Sequence, residues 1–129
     1  MRAARGLARF ALMSVAAVVL GGCGDESHSV ETVVRAFADE GVPVAIGRES
    51  EGDSVLRAVL DPERAEHAGL FAVDVFRSAE DAQRFAANAR AARGDSKMLI
   101  GRNVIIFYSQ RAPAELRDRL TSVVVRLDE

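Results

Sequence analysis

The chain has 129 residues, 49% of them hydrophobic, with 17 basic and 19 acidic side chains, two histidines and one cysteine. That length supports one hydrophobic core and is too short for two domains. A slightly acidic balance without a basic stripe speaks against a nucleic-acid surface, and a lone cysteine rules out an internal disulfide or a zinc site built on cysteines.

Arg2, Arg5 and Arg9 precede an apolar run over residues 10–20. This is the grammar of a secretory leader, whose apolar region spans ~7–15 residues. It is too short for a spanning helix, which needs ~20. The run ends at Leu20-Gly21-Gly22-Cys23, where the sole cysteine lies. This stretch resembles the lipobox of bacterial lipoproteins, with Gly21 standing where Ala, Ser, Thr, Val or Ile is commoner. The resemblance covers four residues and the leader, and stops there.

The resemblance implies that a diacylglyceryl group is attached to the Cys23 thiol and that a dedicated peptidase cuts between Gly22 and Cys23. Residues 1–22 are then a signal peptide, and the protein sits lipid-anchored on the extracytoplasmic face of the cell membrane, or on the outer membrane if the organism is Gram-negative. Two or three acyl chains, at ~0.8 kcal/mol per buried CH2, hold a protein stably where one does not. The other reading of the same residues is a secreted protein whose cysteine happens to follow the cleavage site. Without the leader, 14 basic side chains face 19 acidic ones, a net charge of −5. No polybasic patch remains to attract anionic lipid, so the acyl chains are the expected anchor. Arginine outnumbers lysine sixteen to one, a composition typical of high-GC bacterial coding.

Residues 23–28 read as the lipidated cysteine and a short polar tether, with residues 24–29 extending at most ~20 Å at ~3.3–3.6 Å per residue. A single domain over residues 29–129 follows. Ser29 caps a helix over 29–40, with Val30, Val33, Val34 and Phe37 at helical spacing and Gly41 as its stop. Residues 42–46 and 55–60 are short, valine-rich runs on either side of an acidic loop, which predicts a hairpin. A turn or helical piece over 62–68 leads to a third strand over 70–76.

Ser78 with Asp81 forms a variant capping box for a second helix, whose apolar stripe is Ala79, Ala82, Phe85, Ala86 and Ala89 and whose stop is Gly94. Its small side chains predict close packing on a sheet. Residues 97–100 and 104–108 flank Gly101-Arg102-Asn103, whose glycine and asparagine suit positive φ in a second hairpin. Pro113 opens a last helix with Leu116, Leu120, Val123, Val124 and Leu127 on one side, and its valine run predicts a frayed end. The sum is an α+β fold, a small two-layer domain with a mainly antiparallel sheet of about five strands and three helices segregated to one face.

No motif after Cys23 names a reaction. His28 and His67 are the only histidines and form no recognisable ligand pair, so no metal and no cofactor is expected. Glu49, Glu51 and Asp53 fail the spacing of a calcium loop, because the twelfth position from Glu49 is Leu60. Asp74 interrupts its strand. If Leu70, Ala72, Asp74 and Phe76 form the buried face, Asp74 needs a partner such as Arg57 or Arg102. If Phe71, Val73 and Val75 form it, Asp74 is exposed.

Tyr108 with Arg102 and Arg111 forms either a recognition surface or an ordinary rim. Two functions of different class remain. One is a non-enzymatic binding or accessory lipoprotein with an envelope protein partner. The other is a small surface hydrolase or solute-binding protein with a site near Asp74, His67 or Arg57.

Overall fold

The computed structural model describes residues 27–93 and 97–129. The expected leader, the lipobox-like stretch Leu20-Gly21-Gly22-Cys23, residues 24–26 of the expected tether and Gly94 lie outside the described residues. In chain order the elements are α1 (Val30–Asp39), β1 (Val44–Glu49), β2 (Leu56–Pro62), a 3-10 turn (Ala65–His67), β3 (Phe71–Phe76), α2 (Ala79–Arg93), β4 (Lys97–Gly101), β5 (Val104–Tyr108) and α3 (Ala114–Asp128). The five strands form one sheet in the order β1-β2-β3-β5-β4, and every neighbouring pair is antiparallel. The fold is α+β, with three helices packed on a five-stranded sheet.

Local chemistry accounts for the helix starts. Ser29 accepts a hydrogen bond from the Thr32 amide at 3.1 Å, and Ser78 accepts one from the Asp81 amide at 3.1 Å, each satisfying a donor that the helix cannot pair internally. Pro113 precedes α3, where its missing N–H costs nothing.

The valine face of β3 is the main core. Val73 and Val75 are fully buried beside Ala58, Leu60, Val104 and Ile106, under Val33 and Phe37 of α1 and Leu120, Val123 and Leu127 of α3. Phe37 and Phe71 stack with ring centroids 6.0 Å apart. Arg126 joins the two helices, donating to the Glu40 carboxylate at 2.7 Å, and that hydrogen bond holds its guanidinium above its ordinary pKa.

The layering departs from the expected two. Ile105 and Phe107 alternate with Val104 and Ile106, so β5 is apolar on both faces and both need cover. Helix α2 lies on the second face, where Ala82, Ala86 and Ala89 are buried with Phe76, Ile105 and Phe107. The alanines let its backbone come close to the sheet. Phe85 sits between Phe76 and Phe107, at ring centroid distances of 5.2 and 6.2 Å.

Other departures are local. Strand β1 begins at Val44 and runs to Glu49, because a bulge at Gly47 carries Arg48 and Glu49 into register with Val59 and Ala58. In the β4–β5 turn the positive φ belongs to Arg102, at 54°, and not to Gly101 or Asn103. Helix α3 does not fray at its valines. Val123 and Leu127 bury, and the Leu127 carbonyl accepts from Arg102 Nε at 3.2 Å and from His28 Nε2 at 2.5 Å.

Phe37→Ala is expected to cost ~3–5 kcal/mol, because it removes a large buried ring from the main core. It will appear in urea titration as a lower midpoint at unchanged slope.

Candidate functional site

Where Ser27 and His28 meet the rest of the domain, several hydrogen bonds converge. Asn103 is fully buried, the only polar side chain so placed among the described residues. Its Oδ1 accepts from the His28 amide at 2.8 Å, and its Nδ2 donates to the His28 carbonyl at 3.0 Å and to the Phe76 carbonyl at 2.8 Å. The side-chain amide thus pairs with the His28 backbone as a neighbouring strand would. Arg57 NH1 also donates to the His28 carbonyl, at 3.4 Å, and Ser27 Oγ donates to the Arg77 carbonyl at 2.8 Å.

The His28 ring completes the clasp. Its Nε2 faces the Leu127 carbonyl, and since a carbonyl only accepts, that nitrogen carries the hydrogen. Arg102 donates to the carbonyls of Leu127 and Asp128 alongside it. A cation at a helix C-terminus is also favoured by the helix dipole. The tether, expected to run through His28, is therefore part of the folded domain from Ser27 on.

The strands explain why Arg57 reaches this point. Leu56 pairs with Phe76 and Ala58 pairs with Val75, so Arg57 is the extra residue of a bulge. A bulge re-aims a side chain, here out of the sheet and towards the docked tether.

His67 lies elsewhere. It ends the 3-10 turn before β3, and its ring is tilted against Phe71 at a centroid distance of 6.1 Å. It lines an open cavity of about 320 Å3 with Arg64, Glu66, Leu70, Glu115 and Arg119. The rim carries side chains of both signs, and Arg119 is already paired with Glu115 at 3.1 Å. Nδ1 of His67 is buried without a hydrogen bond among the described residues. Such a rim suits a polar surface more than it suits one anion.

Asp74 lies on the α2 face of β3, half-buried and engaged, opposite Val59 of β2 and Ile105 of β5. The face of Phe71, Val73 and Val75 is the core, the second of the two alternatives, yet Asp74 is not fully exposed. Asp74, His67 and Arg57 do not all converge, although the partner of Asp74 is only two residues from Arg57. His67 precedes the first residue of β3, whereas Arg57 adjoins the partner of its last. At ~3.3 Å per residue the five steps from Phe71 to Phe76 put ~17 Å between those ends.

Tyr108, Arg102 and Arg111 do not form one surface either. Arg102 is at the turn end of β5, bound to the end of α3, and Tyr108 is at the other end, partly buried against the main core. Among the described residues, no three His, Cys, Asp or Glu side chains gather as a metal site, and no helix is long and apolar enough to cross a membrane.

A second surface feature is apolar. Val30 and Val34 of α1 and Val44 and Ile46 of β1 line an open groove of about 460 Å3 at the sheet edge, where Ile46 is 45% exposed.

No family model, curated protein or solved structure matches the chain.

Sequence reasoning missed Asn103, which reads as a turn residue in Gly101-Arg102-Asn103. The available signal is its position directly before five largely apolar residues, where a polar side chain is carried inward with the strand. Arg57 and His67, at opposite strand ends, are expected to behave independently. In a double-mutant cycle of Arg57→Ala and His67→Ala, stabilities should add within ~0.5 kcal/mol. A larger coupling in urea titration would place them in one site after all.

Proposed function

We propose that this chain is a lipid-anchored lipoprotein on the extracytoplasmic face of the membrane, with a small α+β domain that binds a protein partner or other envelope component and catalyses no reaction. The observation that carries the reading is the lipobox, Leu20-Gly21-Gly22-Cys23, behind a basic start and an apolar run of signal-peptide length. The domain begins close behind it, since Ser27 already bonds to Arg77. A chain that folds four residues after its anchor has no room for a second module between them.

The separation of His67 from Arg57 along β3 favours binding over a hydrolytic site that uses both, because such a site needs its groups within hydrogen-bond reach. The apolar groove of Val30, Val34 and Ile46 and the charged rim around His67 are the surfaces offered to a partner. An envelope protein is the expected partner.

Intact mass and membrane fractionation, run beside a Cys23→Ala variant, test the reading. The expected product begins at Cys23, carries acyl mass and sediments with membranes, and the variant loses all three properties. A soluble product without acyl mass would overturn it.

A further inference from the structure

We infer that the docked tether fixes which end of the domain faces the bilayer: the end built from the 51–55 loop, Arg77 and the β4–β5 turn lies against the lipid headgroups, and the end carrying His67 points away. This rests on the lipid anchor at Cys23 proposed above and assigns that anchor an orientation.

Four Cα steps separate Cys23 from Ser27. At ~3.3–3.6 Å per step they span at most ~14 Å. Ser27 is held on the body of the domain, through the Arg77 carbonyl, and His28 through Asn103 and the end of α3. Arg77 follows the last residue of β3, and Asn103 precedes the first of β5, so these attachments lie at one end of the sheet. The opposite end of β3 is ~17 Å away at ~3.3 Å per residue. An inverted domain would set that length of sheet between Ser27 and the membrane, more than the tether can span.

The clasp also shortens the linker, because Ser27 and His28 no longer belong to it. Backbone and side chain of His28 are both held, at 2.8 and 3.0 Å by Asn103 and at 2.5 Å by the Leu127 carbonyl. The end so fixed includes Val55, which is 49% exposed and faces no core. Arg77 pins the adjoining loop by donating to the Gly52 carbonyl. An apolar side chain on a pinned loop beside the anchor suits contact with a headgroup layer and its acyl boundary.

The test uses the acylated protein in vesicles of phosphatidylethanolamine and phosphatidylglycerol that carry a headgroup-borne quencher. A fluorophore is placed by Val55→Cys or by Glu66→Cys, both at exposed positions. The label at 55 should be quenched several-fold more than the label at 66. Inserting ten Gly and Ser residues between Gly24 and Asp25 should bring the two labels close to equality without touching the fold. Equal quenching in acylated, vesicle-bound protein with the native tether would overturn the orientation and leave the anchor standing. Protein that carries no acyl mass and stays off the vesicles would overturn the anchor and the orientation with it.

Discussion

The amide of Asn103 is the interaction on which the arrangement depends. A buried amide left unpaired costs ~1–3 kcal/mol per group, so its three hydrogen bonds are a condition for burying it at all. Two of them go to the backbone of His28 and one to Phe76, while the Phe76 amide donates to the Asn103 carbonyl at 2.7 Å. The turn between β4 and β5, the end of β3 and the entry to α1 are thereby held at one point. Satisfaction of one side chain joins segments that are 27 and 75 residues apart in sequence.

The segments that could be read in the sequence are those in which one local pattern decides the outcome. Ser29 and Ser78 are hydrogen-bonding caps, α1 carries its valines and Phe37 inward, and β3 buries Phe71, Val73 and Val75. What could not be read is where two patterns compete. Strand β5 has no polar alternation, and periodicity does not tell a strand buried on both faces from one buried on one, so α2 was expected on the same face as its fellows. A bulge adds one residue without leaving a composition signal, and both Gly47 and Arg57 sit at bulges. The valines of α3 are weak helix formers, yet burial of Val123 and the bonds at Leu127 decide against propensity.

The candidate site divides in the same way. The resemblance of Leu20-Gly21-Gly22-Cys23 to a lipobox, on which the proposed anchor rests, lies in four contiguous residues. The clasp on His28 is assembled from Asn103, Arg57 and the end of α3, which no spacing rule connects. His28 reads in the sequence as part of a polar tether. Its actual neighbours are a helix terminus and a buried amide. Asp74 was readable as to face and not as to burial, since the face of a strand follows from alternation and the cover over it comes from elsewhere.

Strand β1 borders the sheet, and all of its residues after Val44 are exposed. Such a border presents open backbone groups to any second strand that arrives. Here the bulge at Gly47 breaks the repeat of those groups, and Arg48 and Glu49 follow it with opposite charges. A side chain at 47 would also meet the Asp61 carboxylate. Molecules confined to a surface encounter one another at far higher local density than in solution, in a shared orientation. Were the domain held on a membrane as proposed, an interrupted and charged border would keep crowded neighbours from zipping into a common sheet.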